Sequence, residues 1–146
     1  TAFAHAGMRM GPAICYEGLY GDFYGDFVRR GAQFMAIISN DGWWGDTPGY
    51  KHLFTISRLR AIEHRRAIAR SANTGMSGFI SARGDIGETL GWEKRGVISA
   101  AVPLNSELTF YTRYGDYLGR IAEYLTLLCV LYYIAYRVKR ENYLVK

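Results

Sequence analysis

The sequence predicts an α/β fold with parallel strands, followed by one C-terminal membrane-spanning helix. Two observations carry that expectation. Residues 9–39 read as strand, helix and buried strand, and residues 124–136 form a run of 13 without a charge. A chain of 146 residues suits one domain with one core. Its 49% hydrophobic and 15% aromatic content argues against disorder.

The first strand is "MGPAIC", with Pro12 marking its start or an edge position. After a turn at Cys15 to Gly18, "YGDFYGDFVRR" forms a short helix. Asp22 is its expected N-cap, Phe23 and Phe27 share one face, and Gly31 ends it. "FMAIIS" then reads as a strand buried on both faces. Such a βαβ crossover is right-handed with parallel strands in nearly all cases. It brings the residues that follow each strand to one edge of the sheet, where α/β proteins place their sites. That edge receives Cys15, Tyr16 and Glu17 from the first strand, and Asn40 and Asp41 from the second.

"NDGWWGDTPGY" reads as a loop. A helix is expected over residues 52–66, with Leu53, Ile56, Leu59 and Ile62 as its apolar stripe. Arg58, Arg60, Glu63, Arg65 and Arg66 form its solvated face. Strands are expected over 67–72 and 76–82, joined by Asn73-Thr74-Gly75. A turn at Arg83-Gly84-Asp85 leads toward a last strand at 96–102.

The uncharged run at 124–136 is shorter than the ~20 residues of a membrane span. Extending it back to Tyr117 reaches that length and takes in Arg120 and Glu123, placed near one interface where a long side chain can snorkel. Tyrosines flank the run and "RVKR" follows it, the pattern of an aromatic belt with a cytoplasmic basic end. The competing reading is a buried helix of a soluble domain. The expected organisation is therefore an α/β domain at 1–116, a span at 117–136 and a basic cytoplasmic tail at 137–146.

The formal charge is +5 and the pI about 9.3, a balance compatible with nucleic acid or an anionic membrane surface. No nucleic-acid-reading module is visible, so no nucleic-acid partner is expected. Cys15 and Cys129 form no C-x-x-C or Cys/His cluster, and Asp41 and Asp46 lack the spacing of a calcium loop, so no metal or other cofactor is expected. A cysteine is by type a small apolar packer. Cys15, however, ends a strand and precedes a turn and helix, where backbone N–H groups can activate a thiol and hold an oxyanion. Its obvious base would be histidine. Yet His5 lies near the start of the chain, and His52 and His64 lie on the basic helix. Glu17 reads as a turn carboxylate.

"GPAICYE", "AIISNDGWWGD", "RLRAIEHRRAIARSANTG" and "TFYTRYGD", in that order and followed by the hydrophobic helix, resemble the C-terminal half of the bacterial apolipoprotein N-acyltransferases. That family is the membrane-embedded branch of the nitrilase, or carbon–nitrogen hydrolase, superfamily. The resemblance implies the C-terminal half of a nitrilase-like αββα sandwich and a Glu–Lys–Cys triad with Cys15 as nucleophile. It implies a thioester formed from a phospholipid acyl ester, then acylation of the α-amino group of a diacylglyceryl-cysteine lipoprotein. Tyr16 and Glu17 would lie beside the thioester, with Asn40, Asp41 and Trp43 lining the pocket. The partners implied are a phospholipid donor, a lipoprotein acceptor and the membrane. The implied location is the bacterial cytoplasmic (inner) membrane, with the catalytic domain on its outer side.

In that family the glutamate and lysine precede the cysteine, and the fourteen residues before Cys15 contain neither. The chain is thus expected to be the C-terminal part of a longer protein and to lack transferase activity alone. Two other readings stand beside this one. One is a soluble carbon–nitrogen hydrolase with water as acceptor; the other is a membrane-tethered domain that kept the fold and lost the chemistry.

Overall fold

The computed structural model describes residues 2–144. They fall into two units, divided between Gly115 and Asp116.

The first unit is built on a six-stranded sheet whose spatial order follows the chain: β1 (Phe3–His5), β2 (Met8–Ile14), β3 (Phe34–Ser39), β4 (Ile68–Ala72), β5 (Ser77–Ile80) and β6 (Ile86–Leu90). β2, β3 and β4 are parallel, and the flanking pairs are antiparallel. The helices are α1 (Gly21–Arg29), α2 (Pro48–His64) and the short α3 (Phe110–Tyr114). The expected βαβ crossover is present. β1 pairs only with Met8 to Met10 of β2, so Pro12 sits where β2 has a single neighbour and its missing N–H breaks no second ladder.

Tyr24 and Val28 of α1 and Phe54 and Ala61 of α2 pack with Ala13, Met35, Ile37, Ile68 and Ile80 of the sheet to form the core. β3 keeps its expected limits but is buried on one face only. Met35, Ile37 and Ser39 are buried, whereas Phe34 and Ala36 are half-buried and Ile38 is 63% exposed. On that second face, residues 96–103 line two clefts of about 360 and 230 Å³ against the sheet.

Several local expectations are corrected. α1 begins at Gly21 with Tyr20 at the N-cap, so Asp22 lies in its first turn, favourably placed against the helix dipole. α2 begins at Pro48 rather than residue 52, because the Thr47 hydroxyl accepts from the Gly49 N–H and Pro48 suits the first helical position. It ends at His64, where Arg65 turns left-handed with φ 50°. Its buried face is Tyr50, Leu53, Phe54, Ser57, Ala61 and His64, and Leu59 and Ile62 are exposed. A three-residue spacing falls about 60° short of a full turn at each step, so that stripe winds away from the core.

Nor is the basic face wholly solvated. Arg66 is fully buried, donating to the carbonyls of Ala32, His64, Arg65 and Glu107. The last strand is β6, directly after the turn at Arg83 to Asp85, and residues 96–102 form no strand. Gly84 adopts φ 87° and the Ser81 N–H donates to the Asp85 carbonyl. That tight closure returns the chain to β5 at once.

The second unit is one helix, α4 (Tyr117–Leu144). Over Tyr117–Arg140 it is long and apolar enough to cross a membrane, and none of its most apolar stretch is buried. The helix continues through the expected basic tail as far as Leu144, and Val145 and Lys146 lie outside the described residues.

Candidate active site

β2 hands the chain to a one-turn 3-10 segment, Cys15–Leu19, through a sharp bend. Cys15 makes that bend with φ 52°. A left-handed backbone at a non-glycine residue costs on the order of 1–3 kcal/mol and persists only where the surroundings over-determine it. The thiol is partly exposed, at the kind of strand-to-helix elbow that lifts a nucleophile clear of a sheet. Glu17 grips the near side of the bend: its Oε2 accepts from the Ile14 N–H at 2.7 Å. This carboxylate braces the turn.

The parallel registers bring the other strand ends to the same edge, with Ile14 opposite Ile38 and Ser39 opposite Ala72. Asn40 is exposed there, and its Oδ1 accepts from the Gly42 N–H at 3.2 Å. Trp43 is 84% exposed and Tyr16 about half exposed. Asp41 differs from these. Its side chain is fully buried, accepting both from Arg70 Nη2 at 2.7 and 2.9 Å and from the Ser39 hydroxyl at 2.5 Å. Arg70 Nε also donates to the Met76 carbonyl at 3.2 Å. A Cβ at Gly75 would overlap the Asp41 carboxylate. Asp41 therefore ties the loop after β3 to the β4–β5 hairpin from behind.

Arg70 is the residue that sequence reasoning missed. Its signal was a guanidinium inside the apolar strand "AIARSA", which a buried position obliges to find a carboxylate.

The histidines stay out of this arrangement. His64 is buried between the rings of Tyr24 and Tyr111, with Nδ1 2.9 Å from Thr112 Oγ1 and Nε2 3.0 Å from the Gly21 carbonyl. Burial, reinforced by the charges of Arg60, Arg29 and Arg66 and opposed by the Gly21 carbonyl, lowers its pKa to about 4. At neutral pH the ring is uncharged. A carbonyl only accepts, so the proton sits on Nε2 and Thr112 donates to Nδ1. Among the described residues no three His, Cys, Asp or Glu side chains group as a metal site.

Residues 1–108 match the model of the carbon–nitrogen hydrolase family. The chain belongs to that family. Within it, the chain is 45% identical over 109 residues to an apolipoprotein N-acyltransferase of Chlorobaculum tepidum, a match covering 75% of this chain and 20% of that protein. It is 42% identical over 97 residues to the apolipoprotein N-acyltransferase of Rhizobium meliloti, covering 66% and 18%. The chain thus spans about a fifth of the length of these relatives.

Among solved structures, Saccharomyces cerevisiae Nit3, of the nitrilase superfamily, superposes with a TM-score of 0.58 at 20% identity, over 65% of this chain and 38% of that one. A Nesterenkonia amidase with a covalent adduct on its active-site cysteine gives a TM-score of 0.52 at 19% identity, over 64% and 37%. These likenesses establish the nitrilase-type arrangement of sheet and helices for this member of the carbon–nitrogen hydrolase family.

Proposed function

We propose that the complete protein transfers a fatty acyl group from a phospholipid to the N-terminal amine of a diacylglyceryl-cysteine lipoprotein, with Cys15 as the nucleophile. The observation that carries this is the strained, partly exposed cysteine at the end of a parallel strand, in a chain whose curated relatives are named apolipoprotein N-acyltransferases. The Cys15 thiolate attacks the acyl carbonyl. The ester C–O bond breaks, the leaving alkoxide takes a proton, and a lysophospholipid departs from the thioester. The acceptor amine then attacks the same carbonyl, the C–S bond breaks, an amide forms and the thiol regains its proton.

In the resemblance the base is a glutamate and the thiolate's partner a lysine, both ahead of the cysteine. Tyr16, Asn40 and Trp43 contribute the wall beside the thiol, Glu17 braces the elbow, and Asp41 fixes the wall through Arg70. The α4 helix crosses the cytoplasmic membrane of a bacterium with its basic end inward, which confines the enzyme to the compartment of its two lipid substrates.

A second reading, an amidase-type hydrolysis with water as acceptor, draws on the fold shared with the Nesterenkonia enzyme. The two separate in one experiment. The complete protein in detergent is given a labelled phospholipid with a diacylglyceryl-cysteine peptide, and separately simple amides. Acyl-peptide formation through a Cys15 thioester seen by mass spectrometry, absent in Cys15→Ala, is the expected result. Transfer that survives Cys15→Ala overturns the nucleophile assignment, and turnover of amides alone favours the hydrolase.

A further inference from the structure

The elbow at Cys15 is gripped at both ends, and its far grip comes from a residue that reads as ordinary helix surface. Arg60 of α2 donates from Nη1 to the carbonyl of Leu19, the last residue of the turn, at 2.6 Å. Its other arm, Nη2, meets Glu63 Oε1 at 2.7 Å. The Arg60 side chain is only 11% exposed. A long flexible cation is held there at an entropic cost, and the two-armed fork offsets it.

The backbone is shaped to admit this guanidinium. Gly21 opens α1 two residues after Leu19 and is buried. A Cβ at Gly21 would lie 3.0 Å from Arg60 Nη1 and would overlap the Tyr111 hydroxyl. The glycine has ordinary helical backbone, so conformational freedom does not explain it. The room it leaves for the Tyr111 hydroxyl and for the fork does.

We propose that Arg60 is a positioning residue for Cys15, an inference that rests on the reading of Cys15 as nucleophile. The left-handed backbone of Cys15 relaxes unless the turn is fixed on both sides. Glu17 fixes the strand side at Ile14, and Arg60 fixes the helix side at Leu19. A charge-assisted bond to a carbonyl is stronger than a neutral one and suits this task. Lysine cannot replace it, because a single ammonium lacks the planar fork that joins Leu19 to Glu63.

The test uses the complete protein in detergent. Arg60→Met and Arg60→Lys are compared with the parent by acyl-transfer rate and thermal melting. Alkylation of Cys15 by iodoacetamide is followed across the thiol's titration range by peptide mass spectrometry. In folded Arg60→Met, transfer falls about 10- to 100-fold and the Cys15 alkylation profile shifts, as a displaced reacting atom requires. Arg60→Lys follows the methionine variant. A role limited to overall stability would lower melting and leave the thiol profile of the folded protein unchanged, and that result overturns the proposal. Should Arg60→Met fail to fold, Arg60→Lys decides, since it keeps the charge and removes only the fork; a parental thiol profile there is equally fatal. Failure of the nucleophile reading looks different: transfer persists in Cys15→Ala, while the alkylation profiles still report on the clasp.

Discussion

The ends of β2 and β3 lie side by side on one edge of the sheet, and they are built in opposite ways. After β2 the chain bends through a strained backbone and leaves a thiol partly open to solvent. After β3 it plunges a carboxylate into the protein, onto a guanidinium, and leaves an indole outside. The first end stores strain in the backbone beside a thiol; the second is rigid where charge is buried and bare where it meets solvent. One sheet edge thus carries a strained, partly open turn and a firmly anchored loop beside it.

That contrast is broken most forcefully from the β3 side. Asp41→Ala leaves Arg70 buried without its partner, and urea unfolding should show a loss of about 3–5 kcal/mol. Adding Arg70→Met should recover part of that loss, because the stranded charge is then gone.

A smaller, pH-dependent effect comes from His64, which holds the Gly21 carbonyl just beyond the cysteine turn. Its pKa is about 4 when folded and about 6.5 when unfolded, so between those values the unfolded chain binds more protons. Stability is therefore full above about pH 6.5 and declines as pH falls toward about 4. Denaturation midpoints measured against pH should show this slope, flattened in His64→Leu.

Cys15→Gly sharpens the comparison from the β2 side. Removing the Cβ relieves the left-handed residue, so stability should rise by about 1 kcal/mol while transfer in the complete protein is lost. The smallest effect belongs to the exposed wall. Trp43→Ala should shift stability by no more than about 0.5 kcal/mol, and a decline in acyl transfer without a change in melting would locate its contribution at the substrate.

Much of this frame was readable from residues alone. The apolar run from Phe34 to Ser39 and the glycine at 31 marked β3 and the end of α1, and Asn73-Thr74-Gly75 marked the hairpin between β4 and β5. What remained hidden was tertiary. "GVISAAV" outweighs "IGETL" as a strand pattern, yet the closed turn at Gly84 gives the pairing to the weaker segment. Pro48-Gly49 reads as a turn until Thr47 caps it.

In the site, Cys15 and its edge followed from strand order. Its left-handed backbone did not, since a cysteine gives no conformational signal as a glycine would. Arg60 and Arg66 were opaque for one shared reason. Charged side chains on a helix signal solvent in a sequence, and only the fold reveals the carbonyls waiting for them.

The unbroken course of α4 through its basic end sets a length. Its 28 residues measure about 42 Å at the helical rise, against a hydrocarbon layer of about 30 Å. A bilayer that takes up the apolar turns leaves roughly 12 Å of rod over. Arg137, Lys139 and Arg140 ride on that surplus, so a helix seated in lipid carries them to the depth of the phosphates.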